Sequence, residues 1–264
     1  MQILLTGCKS ALMKECQNHL KQNYDILVQD EKKLDDFDKI KTLFREKKFD
    51  TVIFFALGNN ALEFFRNVQY SSIINGVKKI LLVTNPEDFD LSKNVVEAFD
   101  DDFKKQMPTQ EGGLEKYLLS VLASKDKITT VLRVFGLFGQ GVEGELSKAL
   151  SKGKKSRKIF LEYDKEVSLT YIEDAVRIIE EFIKNNAEKG FFNIAPDYVS
   201  TYSEVLKKAK SYFKKEGIEI EATIKNQPHS NTLTANNEKL ISFLPENFKF
   251  TSLAAAVNKT LKTY

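Results

Sequence analysis

The stretch Ile3-Leu4-Leu5-Thr6-Gly7-Cys8-Lys9-Ser10-Ala11-Leu12-Met13 decides the fold. It opens with a short apolar run ending at Gly7, the pattern of a strand buried on both faces. Residues 11–22 then carry Leu12, Cys16 and Leu20 at helical spacing. A strand that turns at a glycine directly into a helix offers the free N–H groups of the helix start to an anion beyond the strand's end.

The same alternation continues outward. Residues 24–28, 51–56, 79–83 and 129–135 read as further strands, the first of them followed by Asp30. Helices are expected over 37–47, with Ile40, Leu43 and Phe44 on one face, and over 61–75 and 114–123. Continuously apolar strands alternating with helices imply a parallel sheet covered on both faces. Right-handed crossovers make it a Rossmann-like doubly wound α/β sheet. After Gly144 the rhythm changes. Residues 153–158 read as a basic turn, 176–183 as a helix, 191–194 as a short strand, 202–215 as a helix, 226–237 as a polar loop and 252–261 as a closing helix. The expected organisation is a dinucleotide-binding domain over 1–142. Residues 143–264 then form mainly a smaller C-terminal lobe, with 165–195 returning to the sheet. No internal repeat of solenoid length is present.

Composition narrows the function classes. The 264 residues are 42% hydrophobic, with 20 Phe, ample for a core. Forty basic residues against thirty-seven acidic ones leave a net charge of +3, which gives no reason to expect nucleic acid or a membrane as partner. Two cysteines, Cys8 and Cys16, and two isolated histidines, His19 and His229, supply neither a disulfide framework nor a metal site. No apolar run approaches the roughly 20 residues that span a bilayer, and the start lacks a signal-peptide pattern. A cytoplasmic protein is expected.

Several segments, taken in order, resemble one family. They are Thr6 to Met13, residues 47–56, Asn75-Gly76-Val77-Lys78-Lys79-Ile80-Leu81-Leu82-Val83, Leu132-Arg133-Val134-Phe135-Gly136-Leu137-Phe138-Gly139-Gln140-Gly141, Tyr171-Ile172-Glu173-Asp174-Ala175, and Phe192-Asn193-Ile194 followed by Ser203-Glu204-Val205. Together the chain resembles the extended short-chain dehydrogenase/reductase family, the NAD(P)-dependent epimerases, dehydratases and reductases of nucleotide sugars. The resemblance covers nearly the whole length.

It implies NAD or NADP as cofactor, with Gly7, Lys9, Ser10, Leu12, Asp30, Ala56 and Lys116 as the residues carried over to binding. Asp30 stands where an acidic residue holds the ribose hydroxyls of NAD. Lys9 stands where some NADP-dependent members carry a basic residue, and the two hints conflict. The family's catalytic Tyr-x-x-x-Lys aligns with Lys116 in the Lys position and Gly112 in the Tyr position. Its Ser/Thr aligns with Thr84 and Asn85. Tyr117 points about 100° away from Lys116 around a helix and cannot substitute.

The chain departs from the pattern. The fingerprint glycines read Gly7, Ser10 and Met13, which weakens or empties the cofactor cleft. Loss of a general acid/base costs roughly 10²–10⁴ in rate. Three readings follow: a catalytically impaired binding or regulatory protein that keeps an NAD(P) or nucleotide-sugar site and works through a protein partner; an active epimerase or reductase of a nucleotide sugar for surface polysaccharide synthesis; or a partner-binding scaffold without nucleotide. Lys154, Lys155, Arg157 and Lys158 are weighed as a diphosphate contact. Arg133 is weighed as a phosphate contact or a structural pair. Asp100-Asp101-Asp102 with Glu87 and Asp88 read as a solvated loop rather than a metal site. The broad apolar faces of Leu114, Tyr117, Leu118, Val121 and Leu122, and of Leu62, Phe64 and Phe65, predict a homodimer.

Overall fold

The computed structural model describes residues 1–30, 36–58, 60–110, 112–185, 189–225 and 231–263, without the side chains of Asp30 and Lys154. His229, and residues 226–230 of the expected polar loop, lie outside the described residues.

The chain runs β1 (Gln2–Gly7), α1 (Ala11–Leu20), β2 (Asp25–Asp30), α2 (Phe37–Glu46), β3 (Thr51–Phe55), α3 (Ala61–Ile74), β4 (Lys79–Thr84), β5 (Val95–Ala98), α4 (Gly113–Ala123) and β6 (Thr129–Val134). It continues through α5 (Glu145–Ser156), β7 (Lys158–Leu161), β8 (Glu166–Val167), α6 (Ile172–Lys184), β9 (Gly190–Ile194), β10 (Ser200–Thr201), α7 (Tyr202–Lys215), β11 (Glu221–Ile224), β12 (Leu233–Ala235), α8 (Glu238–Phe243) and α9 (Leu253–Lys262).

Six strands form one parallel sheet in the order β2-β1-β3-β4-β6-β9. The strand residues alternate between two cores. Ile3, Leu5, Ile53, Phe55, Leu81 and Val83 face Leu12, Met13 and Cys16 of α1 and Ile178 and Ile179 of α6. Leu4, Val52, Phe54, Ile80 and Leu82 face Ile40 and Phe44 of α2, Phe65 of α3 and Leu119 of α4. This is why the strands read as unbroken apolar runs: helices cover both faces. The sheet is doubly wound, as the sequence implied.

A second, four-stranded sheet has the order β10-β8-β12-β5, and a two-stranded one pairs β11 with β7. Strand β5, from the first half of the chain, thus joins a sheet otherwise made by the second half. Two readings of the second half of the chain are corrected. Residues 153–156 are not a turn but the last turn of α5, because Leu146, Ala149, Leu150 and Gly153 share one helix face. Gly153 is required there: a Cβ would lie 2.4 Å from Ile159 of β7. Residues 233–235 of the expected loop form β12, held between β5 and β8.

Candidate functional site

The chain reverses its direction of progress across the sheet between β1 and β3, where ligands bind in open α/β sheets. Here the two strand ends nearly touch. The Gly7 backbone has φ +98°, and a Cβ would lie 2.5 Å from the Phe55 carbonyl oxygen. Cys8 N–H donates to that same oxygen at 2.9 Å. Gly7 is therefore demanded by strand packing before any ligand is considered.

Ser10 caps α1, its hydroxyl accepting from Met13 N–H at 3.1 Å. The N–H groups of Ala11 and Leu12 have no protein acceptor among the described residues and stay available to an anion. The cap thus uses one of the donors that a glycine at position 10 would have left open. Beside this helix start lies a cleft of about 750 Å³ bordered by Lys9, Ser10, Lys14, Val28, Gln140 and Gly141. That volume is within the range of small-molecule sites, about 300–1,000 Å³. Met13 also borders it, but its side chain is buried in the core beneath α1. Leu12 is fully buried and can contribute only its backbone. Asp30 ends β2 directly beside Gly7 in register. Ala56 is buried, and its N–H is spent on the Val83 carbonyl at 2.8 Å, whereas Gly58, two residues on, is half-buried.

Lys116 lies on the inner side of α4, only 4% exposed, and its Nζ donates to the Gly58 carbonyl at 2.7 Å. Burial lowers its pKa; Glu115, Glu87 and Cys8 pull the other way. Gly58 also packs on Cys8: a Cβ built on it would lie 3.0 Å from Cys8 Sγ. Lys116, Gly58 and Cys8, far apart in sequence, therefore converge. The sequence carried no signal for Gly58 or Cys8 beyond their places after strands.

Gly112, four residues before Lys116, is the N-cap of α4 with φ +78°, and among the described residues nothing beyond its chain neighbours lies within 4 Å of a Cβ built there. The space at that position is open, and no hydroxyl is supplied. Thr84 ends β4 on the face covered by α4, next to Arg133 in register. Its Oγ1 is buried without a hydrogen-bond partner among the described residues, which a ligand oxygen would relieve. Asn85 is committed to the following turn, its Oδ1 accepting from Glu87 N–H at 3.3 Å.

Arg133 is not a phosphate contact. It is wholly buried, bonded to Asp88 and to Asn193 Oδ1, and its guanidinium lies 4.6 Å from the Phe89 ring centre. Asp88 is likewise fully buried, and Asp100 Oδ1 accepts from Asn193 N–H at 2.7 Å, so the expected solvated acidic loop is partly an internal network. Among the described residues no three His, Cys, Asp or Glu side chains are grouped to hold a metal. Arg157 closes α5 with φ +56°, and Lys158 pairs with Glu221 at 3.3 Å. Tyr117 packs edge-on against Phe103. Among the described residues no helix is long and apolar enough to cross a membrane.

No protein-family model matches the sequence, and no curated protein matches it. Solved structures do. A GDP-L-fucose synthetase from Naegleria fowleri bound to NADP superposes with a TM-score of 0.83 at 16% identity, over 99% of this chain and 92% of that one. A dTDP-glucose 4,6-dehydratase from Bacillus anthracis in complex with NAD gives 0.80 at 12% identity, over 100% and 96%. A UDP-glucose 4-epimerase from Thermotoga maritima with UDP-glucose gives 0.76 at 16%, over 100% and 98%. Likeness at this level of identity speaks for architecture: the chain has the fold of the extended short-chain dehydrogenases/reductases.

Proposed function

We propose that the chain binds NAD or NADP in the crevice between β1 and β3 and a nucleotide sugar beside it, and that it is catalytically impaired, acting as a binding or regulatory protein. The observation that carries this reading is the contrast within one helix start. Lys116 holds a buried ammonium over Gly58, while Gly112, at the position of the expected general acid/base, presents only open space.

The residues fit a dinucleotide. Ala11 and Leu12 N–H would take the pyrophosphate, Lys116 a ribose hydroxyl, and Lys9 or Asp30 would choose between NADP and NAD. The bound cofactor would supply hydride chemistry; the chain itself positions and holds it. The protein acts as a homodimer. Leu114 and Leu118 on α4 are 46% and 41% exposed, and Ile73 and Ile74 at the end of α3 are each 50% exposed. Apolar surface of that kind on paired helices is the usual mark of an interface.

The test is a titration with NADH and NADPH, read by the cofactor's own fluorescence, against a protein that contains no Trp. Saturable binding without turnover of GDP-, dTDP- or UDP-linked sugars is the expected result. Absence of binding up to millimolar concentration would turn the reading to a partner-binding scaffold without nucleotide.

One observation favours a second reading, an active epimerase or reductase. Thr84 Oγ1, buried and without a hydrogen-bond partner among the described residues, is a hydroxyl that a substrate oxygen would satisfy. Turnover of a nucleotide sugar that disappears in Thr84→Val would establish that reading and defeat impairment.

A further inference from the structure

The start of α7 leaves two cations unpaired. Thr201 and Glu204 form a capping box there, Glu204 Oε2 accepting from Thr201 N–H at 3.0 Å. Lys207 and Lys208 follow Glu204 at the spacing where a helix pairs opposite charges. With the carboxylate held back at the cap, both ammonium groups are without an ion pair or hydrogen bond among the described residues. The start of α9 lies beside them. Tyr198 O–H donates to the Thr251 carbonyl at 2.8 Å and ties the residue before that helix to the segment entering β10. Ser252 caps α9, its Oγ accepting from Ala255 N–H at 3.4 Å, and Ala256 N–H bonds to the Ser252 carbonyl at 2.9 Å. The N–H groups of Leu253 and Ala254 are left without an acceptor among the described residues, at the positive end of the helix dipole.

These groups border one cleft of about 410 Å³, lined by Ser200, Lys207, Lys208, Ser252 and Leu253, a volume within the range of small-molecule sites. Ser200 supplies an independent sign of an occupant. It is 2% exposed, while Val199 beside it turns outward and is 46% exposed. Yet the Ser200 hydroxyl makes no hydrogen bond among the described residues, and a hydroxyl so enclosed is rarely left without a partner. Two ammonium groups, two backbone N–H groups and one hydroxyl therefore meet with no protein acceptor for any of them. Glu204 also borders the cleft and tempers its positive charge.

We propose that this cleft binds a phosphate dianion, either inorganic phosphate or the phosphoryl group of a small monoester. Leu253 and Ala254 N–H, the Ser200 hydroxyl and the Lys207 and Lys208 ammonium groups are its donors. A phosphate suits such a set because its several oxygens accept from many donors at once and its charge strengthens each bond. The cleft leaves room past the phosphoryl group beside Tyr198 and Val199, so a monoester should bind more tightly than the free ion. None of these residues belongs to the crevice between β1 and β3, and the site does not rest on the dinucleotide reading.

The experiment is calorimetric titration of the native protein with inorganic phosphate and with phenyl phosphate, at neutral pH and fixed ionic strength. Saturable binding is expected for both. Ser200→Ala should weaken it about tenfold, the worth of one hydrogen bond to a charged group. Leu253→Pro removes one N–H donor at the first position of α9, where Ser252, at ψ 149°, already has the backbone of a residue before proline; it should weaken binding to a similar extent. Lys207→Ala with Lys208→Ala should weaken it about tenfold or more. Tighter binding of phenyl phosphate supports a monoester as the ligand, and equal affinities support free phosphate. No saturable binding of either probe to the wild type, or undiminished binding in the double lysine variant, overturns the site. Both lysines are exposed, so that variant decides by itself if Leu253→Pro does not fold.

NADH fluorescence is followed on the same proteins. Unchanged NADH binding in the double lysine variant supports a separate phosphate site. A parallel loss of NADH and phosphate binding would place the dinucleotide in this cleft and overturn the separate site. Failure of the wild type to bind NADH defeats the dinucleotide reading alone, while the phosphate titration still decides this one.

Discussion

Arg133 grips Asp88 in a two-pronged ion pair, Nε to Oδ1 at 2.7 Å and Nη2 to Oδ2 at 2.6 Å, with both side chains wholly removed from solvent. Ser120 of α4 adds a bond to Asp88 Oδ2 at 2.8 Å. The pair therefore fixes the turn after β4 both to β6 and to α4. It holds Thr84 and Glu87 beneath the helix that carries Lys116.

Arg133→Met would strand the Asp88 charge in the core. It should cost about 3–5 kcal/mol, the usual penalty for breaking a buried pair from one side. Replacing both, Arg133→Met with Asp88→Leu, should recover a large part, because two apolar side chains need no partner. Urea denaturation of the three proteins measures this. Equal loss in the single and double variants would mean that the pair is not what holds the turn.

Lys116→Met should separate binding from stability. Its removal costs the hydrogen bond to Gly58, about 1 kcal/mol, offset by no longer burying an ammonium. The urea midpoint should therefore move little. NADH binding, which we assign partly to this ammonium, should weaken about tenfold or more, the equivalent of some 1.4 kcal/mol. An unchanged affinity would remove Lys116 from the proposed site.

How much of this could be read from the chain differs from element to element. The sheet was legible because strands buried on both faces are continuously apolar, and the first turn because Gly7 follows such a run directly. Helix α5 was hidden by its own charges. Leu146, Ala149 and Leu150 carry the helical spacing, but the lysines around Gly153 look like a turn until β7 is seen packed on that glycine. Strand β12 is three residues long and exists because β5 and β8 flank it, a tertiary cause that no local pattern contains. The site divides the same way. Lys116 and Gly112 were singled out by the family resemblance alone, whereas the meeting of Cys8, Gly58 and Lys116 appears only once the strands and α4 are packed together. Asp88 looked solvated because its partner Arg133 lies 45 residues away.

The homodimer reading predicts a dimer in sedimentation at micromolar concentration and a monomer for Leu118→Lys. Leu118 is 41% exposed, so a charge there costs the isolated fold little but would be desolvated in an interface. Phe65, by contrast, is fully buried and packs edge-on against Phe54 at 5.3 Å, so it belongs to the core rather than to a docking face. A wild-type monomer would overturn the reading.

Glu180 gives the acid limb of stability a definite sign. His19 Nε2 lies 2.7 Å from Glu180 Oε2, joining α1 to α6, and Lys184 Nζ lies 3.3 Å from Oε1. Burial raises the Glu180 pKa, but the bonds from His19 and Lys184 outweigh it and hold the carboxyl below its usual value. The folded state thus binds this proton less readily than the unfolded chain. Its contribution is present above the unfolded value, about 4.3, and is lost as pH falls through the lower folded value. The advantage of the wild type over Glu180→Gln in thermal melting should accordingly be larger at pH 5 and shrink steadily toward pH 3. A difference that stays constant over that range would show that the charge of Glu180 does not stabilise the α1–α6 contact.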